Sequence, residues 1–511
     1  MEVRFLPGAQ MNNTIGFDTD KYLEKQIDKL SHKLRPFKKL YLEFGGKLFS
    51  DYHAARVLQG YRPTAKIELL KKLGEIDLFY CISAKDIAKG RISGTSGLAY
   101  DSQTLKDIDN IIDFGLKVTG VIITRFENQP VAEQLRRKLE NGGIKTYIQN
   151  TIEGYPGNID KILEGYLKQP YVKTQKPLVV VTGTGSGSGK MAFCLSQIYH
   201  ERKNGIKSGF AKFETFPIWN LPLNHPINIA YEAATADIND FNQIDPYHKK
   251  EYGIISINYN RDIENFAILR NLLKEITGEK FPFGYKSPTD MGVNMAAFGI
   301  INDKLCREAS RQEIIRRYFR YLREKIEGKE TQKTMDRIIE IMQKSKLKPE
   351  QRKVVVFARQ AAKDAPKTGK GFNKVFSGAA IELKDGRVVT GKNSATLHAE
   401  SAAILNALKV LNSIPDNIDL ISTNFLKEIS HMKGNLENYP SLTVNETLIA
   451  LAASSAVNPS AKDALEKIKE IKGCEMHVTT LPSAGDEIGI RILDINLTTD
   501  ALIPSLRLFR K

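Results

Sequence analysis

The stretch PLVVVTGTGSGSGKMAFCLSQIYHER, residues 177–202, decides the fold class. Its apolar run at 177–183 predicts a buried strand, and the segment after Lys190 predicts a helix. Between them lies the glycine-rich loop (residues 183–190): Gly183, Thr184, Gly185, Ser186, Gly187, Ser188, Gly189 and Lys190. Glycines let the backbone turn several N–H groups towards one point, and the helix N-terminus adds positive potential there. The stretch therefore predicts an anion-binding turn between a strand and a helix.

The sequence before this stretch repeats the same alternation of strand and helix. Apolar runs predict strands at 40–44, 77–83, 118–124 and 144–149, and amphipathic segments predict helices at 67–73, 105–116 and 131–143. Strands that are apolar throughout and are followed by amphipathic helices are typical of a parallel sheet covered on both faces. Such sheets bind ligands beyond the carboxyl ends of their strands. We therefore expect an α/β fold with a parallel-sheet, nucleotide-binding-like body.

The 511 residues divide into four predicted segments. An N-terminal arm and helix occupies 1–37, of which the first ten residues look detachable. The α/β body with the glycine-rich loop occupies 38–270, a loop and helical subdomain 271–347, and a C-terminal subdomain 348–511. Proline, glycine and aromatic residues interrupt the pattern between 212 and 295. Segments of this kind are lids, binding loops or structural connections, and the sequence leaves this choice open.

The composition narrows the class of partner. Lys and Arg number 75 against 59 Asp and Glu, a net charge of +16, and a basic excess attracts phosphates. The densest basic stretch, 307–325, has apolar residues at helical spacing and is interpreted as a helix with a solvated basic face. No nucleic-acid-binding motif accompanies it, so nucleic acid is an unlikely partner. With no membrane-length apolar run, no secretory signal and four widely spaced cysteines, we expect a cytoplasmic protein with no membrane partner.

The glycine-rich loop resembles the P-loop of nucleoside triphosphatases, with two departures. The first glycine of that motif would fall at Thr184, and the metal-holding Ser or Thr after the lysine is Met191. The resemblance implies ATP or another phosphate ligand, whereas a methionine cannot hold magnesium, whose involvement is therefore doubtful. The structural alternative is a tight turn that binds nothing.

Transfer chemistry would need catalytic groups near the loop. The candidates are Lys190, which is placed to reach a terminal phosphate, and the acids Asp237 and Asp240, which would share a face if they lay on one helix. Glu214, Asp245 and Asp290 are further acidic candidates, and like Asp237 and Asp240 they lie in an irregular region, where acids are usually just solvated. Arg125 and Lys212, which follow predicted strands, are additional candidates to face the site. The single histidines His53, His200, His225 and His248 are interpreted as surface or core residues.

The C-terminal subdomain shows a second pattern. A helix at 354–365, a hairpin turning at Asp385-Gly386 and a helix that begins near His398-Ala399-Glu400 resemble the opening of cytidine-deaminase-like domains. In those enzymes the histidine binds zinc, the glutamate moves protons, and a P-C-x-x-C motif on the next helix supplies two further ligands. The segment after a predicted strand at 418–423 has no cysteine. We therefore expect a deaminase-like α/β fold without zinc ligands, with no bound metal and with His398 and Glu400 as ordinary helix-start residues.

Five longer stretches resemble one bacterial family, catalogued as domain of unknown function 1846. They are FGGKLFSDYHAARVLQGY, ITRFENQPVAEQLRRKLENGGI, SGKMAFCLSQIYHE, KFETFPIWNLPLNHPINIAYEAATADINDFNQIDP and YKSPTDMGVNMAAFGI. The likeness covers nearly the whole chain. It implies an α/β body, a helical subdomain and a C-terminal deaminase-like subdomain, and it implies no particular activity.

Three functional hypotheses remain open. The first is a nucleotide-dependent hydrolase or transferase that binds its ligand at residues 183–190. The second is a non-catalytic protein that binds a phosphorylated metabolite, or assembles through its C-terminal subdomain, for example as a homo-oligomer. The third and weakest is nucleic-acid binding, which a steep salt dependence would reveal.

Overall fold

The computed structural model describes residues 15–49, 51–93, 96–155, 157–437 and 441–503. The predicted N-terminal arm lies outside these ranges. The described chain forms two compact units, Ile15–Ser310 and the residues from Arg311 onward. We call them the first unit and the second unit. Within the described ranges, each helix is too short or too polar to span a membrane.

The first unit is an α/β structure. Its strands are β1 (Lys39–Phe44), β2 (Ile76–Ser83), β3 (Val118–Phe126), β4 (Thr146–Asn150), β5 (Leu178–Gly183), β6 (Ser208–Phe213), β7 (Asn242–Ile244), β8 (Ile257–Tyr259) and β9 (Gly292–Val293). Its helices are α1 (Thr19–Leu34), α2 (Tyr52–Val57), α3 (Ala65–Leu73), α4 (Ala84–Ala88), α5 (Tyr100–Asp113), α6 (Pro130–Asn141), α7 (Ile159–Lys168), α8 (Lys190–Lys203), α9 (Pro226–Ala234), α10 (Pro246–Tyr252), α11 (Asn260–Thr277) and α12 (Pro288–Met291).

Seven strands form an all-parallel sheet in the order β4-β3-β2-β5-β1-β6-β9. The chain moves outward from β1 through β2 to β4, returns to place β5 between β2 and β1, and then continues to β6 and β9 on the other side. A doubly wound sheet binds ligands where its strand order reverses, beyond the carboxyl ends of the strands. The loops after β1 and β5 therefore mark the expected ligand crevice, and the α/β prediction is confirmed.

Burial explains why these strands have no polar alternation. Four successive residues of β5, Leu178 to Val181, are buried, because each face of the sheet is covered. On one face, Val179 and Val181 pack against α7, α8 and α11 through residues such as Tyr166, Phe193 and Phe266. This core fixes the end of β5, and with it the start of the glycine-rich loop.

The irregular segment 212–295 contains short ordered elements. β7 and β8 pair as a small antiparallel ribbon, and the helices between and after them begin at Pro or Asn residues. The apolar residues at 253–260 predict a longer strand than the structure has, since only Ile257–Tyr259 is extended in β8. Ile254 and Ile255 are more than half exposed instead.

The second unit contains a mixed sheet and several helices. The helices are α13 (Asp303–Ile326, which begins in the first unit), α14 (Gln332–Lys344), α15 (Lys353–Asp364), α16 (Ala399–Leu411), α17 (Thr423–Glu437), α18 (Val444–Ser454), α19 (Pro459–Glu466) and α20 (Ala484–Ile492). The strands are β10 (Gly378–Glu382), β11 (Val388–Lys392), β12 (Glu475–Thr480) and β13 (Asn496–Leu502), in the order β11-β10-β12-β13.

Glycines allow two helices to lie directly on this sheet. A Cβ at Gly378 would lie 2.3 Å from the Ala358 carbonyl oxygen of α15, and one at Gly391 would lie 2.2 Å from the Ala403 nitrogen of α16. β10 and β11 form the predicted hairpin around Asp385-Gly386. The segment 418–423, however, is not a strand, and the first strand after α16 in the described chain is β12.

The basic stretch of α13 pairs largely with acids of its own helix. Arg317 and Arg316 bind Glu313, and Arg320 binds Glu324 at 2.8 Å. Residues three and four apart are neighbours on a helix surface, so these ion pairs neutralise much of the positive charge within α13 itself.

Candidate functional site

The glycine-rich loop leaves β5 at the carboxyl edge of the parallel sheet, the edge at which its strands end. A Cβ at Gly183 would lie 2.3 Å from the Cys81 carbonyl oxygen of β2, so only glycine fits there. Gly187 and Gly189 have φ values of 79° and 88°, in the left-handed region that glycine alone adopts freely. The Thr124 hydroxyl donates to the Ser188 carbonyl at 2.8 Å. Two neighbouring strands thus hold the loop in place.

Lys190 begins α8 and folds back over this loop. Its Nζ donates to the Gly185 carbonyl oxygen at 2.8 Å and to the Ser188 hydroxyl at 3.3 Å. The Thr184 Oγ1 is buried, and no residue in the described ranges hydrogen-bonds to it. Met191 packs against the apolar core beside the sheet, so its side chain serves packing.

Two arginines approach the loop from other elements. Arg125, at the end of β3, has a left-handed φ of 51°, a conformation uncommon outside glycine, and its Nη2 lies 3.7 Å from the Cβ position of Gly187. Arg261, in the first turn of α11, donates to the Ser186 hydroxyl at 3.2 Å and to Asp240 at 2.8 Å. With Lys190, three cationic side chains therefore converge on the loop.

An ion-pair cluster lies at the ends of β1 and β6. Lys212 donates to Asp262 at 2.6 Å and lies 3.7 Å from Glu214, and all three side chains are at least 84% buried. The charge of Glu43, near the end of β1, acts on both Lys212 and Glu214. The Glu43 Oε2 is buried and has no hydrogen-bond partner in the described chain. The carboxyl edge thus offers cations around the loop and one free carboxylate oxygen.

Glu214 makes the stability of this unit depend on pH. Burial raises its pKa to about 7; Lys212 lowers it, and Asp262 and Glu43 raise it. Because the folded pKa exceeds the ordinary 4.5, protonated Glu214 stabilises the fold at low pH, and this contribution is lost as pH rises through 7. From pH 5.0 to 7.5 we expect wild type to lose up to about 3 kcal/mol relative to Glu214→Gln. Urea unfolding followed by the fluorescence of Trp219 measures this loss, since the single tryptophan lies in the first unit.

Glu164→Gln is the matched control for this comparison, because Glu164 is exposed on α7. It should leave the pH profile of the wild type unchanged. A Glu214→Gln protein whose stability fell with pH as steeply as wild type would contradict the assignment.

The two predicted catalytic acids differ in their connection to the glycine-rich loop. Asp240 is buried and paired with Arg261, which itself reaches the loop. Asp237 is exposed on a short 3-10 turn, and Asn239, with a φ of 56°, separates it from Asp240. The two acids therefore do not share a helix face.

The other predicted acids and histidines have structural partners. Asp245 caps α10 and also accepts from Thr289, and Asp290, in the first turn of α12, accepts from the backbone N–H of the cap residue Ser287. His225 caps α9 and contacts Asp303 at 2.9 Å, and His248 contacts Ser287 at 2.9 Å. Burial raises the pKa values of Cys81 and Cys194, so neither thiol is an activated nucleophile.

Three residues around the glycine-rich loop and in the ion-pair cluster were not predicted from the sequence: Glu43, Arg261 and Asp262. The sequence carries a signal for the first of them. Glu43 is the one acid of the apolar strand β1, whereas Arg261 and Asp262 lie in the first turn of α11, after the short strand β8. A charged residue near the end of a strand of the parallel sheet reaches its carboxyl edge, and this rule identifies Glu43. It does not identify Arg261 and Asp262, because β8 lies outside the parallel sheet.

In the second unit, His398 and Glu400 lie at the start of α16, as predicted. The first strand after α16 in the described chain is β12, and the helix that follows β12 is α20, so the segment after 418–423 does not hold this position. Pro482 and Ser483 precede this helix, and Asp486 lies in its first turn. Ser483 and Asp486 therefore occupy the two positions at which the P-C-x-x-C motif of deaminase-like domains has cysteines. His398 Nδ1 lies 2.7 Å from Asp486 Oδ2.

The fold and these sites define an α/β protein with a parallel sheet, a glycine-rich loop at its carboxyl edge and a separate mixed-sheet unit. The chain belongs to the family described as domain of unknown function DUF1846: the N-terminal family model matches residues 15–346 and the C-terminal model residues 350–509. The family prediction is therefore confirmed.

Bacterial relatives share almost the whole chain. A UPF0371 protein of Clostridium tetani is 46% identical over 502 residues, which cover 97% of this chain and 99% of the relative. A UPF0371 protein of Fusobacterium nucleatum is 46% identical over 503 residues, and one of Clostridium botulinum (strain Alaska E43) is 45% identical over 500, both with the same coverage.

Proposed function

We propose that this protein binds a phosphate-bearing small molecule at the glycine-rich loop. The observation that carries the proposal is the approach of Lys190, Arg125 and Arg261 to one tight turn at the start of α8. Backbone N–H groups, a helix N-terminus and fixed cations are the features that hold phosphate in proteins. The position of the turn, where the strand order reverses, supports the same conclusion.

The acidic residues narrow the ligand class. A carboxylate beside a phosphate site repels a bare anion, but it accepts hydrogen bonds from hydroxyl or amino groups. Glu43 has one buried oxygen without a partner near the ends of β1 and β5. We therefore favour a phosphate ester with hydroxyl or amino donors, such as a nucleotide or a sugar phosphate, over inorganic phosphate.

Phosphoryl transfer is a second candidate, and two observations favour binding alone. Met191 packs into the core where a magnesium-holding hydroxyl would be needed, and the nearby Asp240 and Asp262 are occupied by Arg261 and Lys212. A free carboxylate such as Glu43 is the group through which magnesium would have to act. Magnesium-dependent binding that Glu43→Gln abolishes would support transfer.

Calorimetric titration tests the proposal. Wild type and Lys190→Ala are titrated with ATP, GTP, ADP, ribose 5-phosphate and inorganic phosphate, each with and without magnesium. Loss of a charge-assisted hydrogen bond costs about 1.5–3 kcal/mol, so Lys190→Ala should weaken binding roughly 10- to 100-fold. The matched control is Lys138→Ala, an exposed lysine on α6, which should bind as wild type does. Absence of saturable binding to wild type by all five probes would overturn the proposal.

A further inference from the structure

We propose that the second unit binds a divalent cation of the first transition row between His398, Glu400 and Asp486. One ligand atom from each residue lies within 4.8 Å of the others. His398 directly precedes α16, Glu400 lies in the first turn of this helix, and Asp486 lies in the first turn of α20. Two helix starts thus bring together one imidazole and two carboxylates from sites 88 residues apart in the chain.

The burial of Glu400 is a second, independent indication. Glu400 is 3% exposed and Asp486 is 1% exposed, so two buried carboxyl groups face a single imidazole. The backbone N–H of Glu400 donates to the carboxylate of the same residue, but one imidazolium does not compensate two buried carboxylates. A divalent cation held by the same three residues would compensate both. A role for Glu400 at the helix start alone, through the helix dipole, does not require this burial.

Asp486 is oriented as metal-binding carboxylates usually are. Its Oδ1 accepts from the Val444 N–H at 2.9 Å, and its Oδ2 accepts from the Ser483 N–H at 3.1 Å and the Ser483 hydroxyl at 2.7 Å. Such outer hydrogen bonds fix the direction of a ligand. The ion would replace the proton between His398 Nδ1 and Asp486 Oδ2, which are 2.7 Å apart, and this contact would open by roughly 0.7 Å to fit tetrahedral bonds of about 2.1 Å.

The ligand chemistry selects the class of metal. One nitrogen and two carboxylate oxygens, without a thiolate, suit Mn²⁺, Fe²⁺ or Zn²⁺ and do not suit a soft ion such as Cu⁺. Mg²⁺ prefers an all-oxygen, octahedral shell with several waters. Because the His398 side chain is 29% exposed, an ion could enter from solvent and keep an open coordination position.

The test uses the full chain, freed of metal with EDTA and without nucleotide. Mn²⁺ is titrated in, the free ion is followed by electron paramagnetic resonance, and Zn²⁺ is then added as competitor. We expect one equivalent of Mn²⁺ to bind and to be displaced by Zn²⁺, which binds more tightly in the Irving–Williams order. Glu400→Gln and His398→Ala should each weaken Mn²⁺ binding at least about 100-fold, or roughly 3 kcal/mol.

His431→Ala, which removes an exposed histidine of α17, is the matched control and should bind as wild type does. Circular dichroism verifies that each variant is folded; Glu400→Gln keeps the size of the side chain, and His398 is partly exposed. Absence of binding by wild type would leave His398 and Asp486 as an ion pair only and would overturn the proposal. So would a folded Glu400→Gln protein with wild-type affinity.

Discussion

Gly189→Ala is expected to destabilise the first unit by about 2–5 kcal/mol and to abolish ligand binding at the glycine-rich loop. Gly189 has a φ of 88°, and a side chain in the left-handed region costs about 1–2 kcal/mol. The added Cβ would also lie 2.7 Å from the Cβ and both γ atoms of Thr124, an overpacking that costs about 1–3 kcal/mol. Urea unfolding followed by Trp219 fluorescence measures the loss, and titration with the same phosphate probes measures binding.

Gly157→Ala is the matched control for this variant. A Cβ at Gly157 would meet nothing within 4 Å, and the residue is not at a positive φ. Its effect should stay within about 0.5 kcal/mol. Comparison with Lys190→Ala distinguishes the effect of the loop's backbone conformation from the effect of the lysine charge, because the lysine variant should lose affinity and keep most of its stability. If Gly189→Ala unfolded at the same urea concentration as Gly157→Ala, the close approach of the loop to Thr124 would be contradicted.

Much of the first unit could be predicted from local sequence, because its strands are buried on both sides. The prediction at 40–44 matches β1 to within a residue, and the strand, loop and helix around 177–202 lie where the glycines place them. Parallel strands of this kind are continuous apolar runs between turns, and such runs need no knowledge of their neighbours. The same reasoning was wrong at 418–423, where apolar residues precede a helix and do not enter the sheet.

The sites were harder to predict because they depend on pairs that are distant in sequence. Lys212 is among the predicted candidates, but its partner Asp262 lies 50 residues later in the chain, and Arg261 donates to Ser186 across 75 residues. Asp486 could not be predicted for the same reason, because α20 lies beside the start of α16 only in the folded second unit. Periodicity reports burial and secondary structure; it carries no information on which charged residues meet.

Lys212→Met is expected to have the second large effect, a destabilisation of the first unit by about 3–5 kcal/mol at pH 7.5. The variant removes the cation shared by Asp262 and Glu214, with the charge of Glu43 close by. Removal of one partner from a buried pair leaves an uncompensated charge, which is the costly step. Methionine has a similar length and is apolar, so a packing defect contributes little. Trp219 fluorescence in urea again reports the loss.

The pH dependence of this loss distinguishes charge from packing. Without Lys212, the pKa of Glu214 should rise further in the folded state, because burial and the negative charges of Asp262 and Glu43 then act unopposed. A raised folded pKa means that stability is greatest at low pH and falls as pH rises, so the variant should approach wild type near pH 5 and diverge from it above pH 7. The double variant Lys212→Met with Asp262→Asn removes one of the stranded charges and should recover part of the loss at pH 7.5. A deficit that is equal at pH 5 and pH 8, with no recovery in the double variant, would show that Lys212 acts through packing and that the ion-pair cluster contributes little to holding the carboxyl edge together.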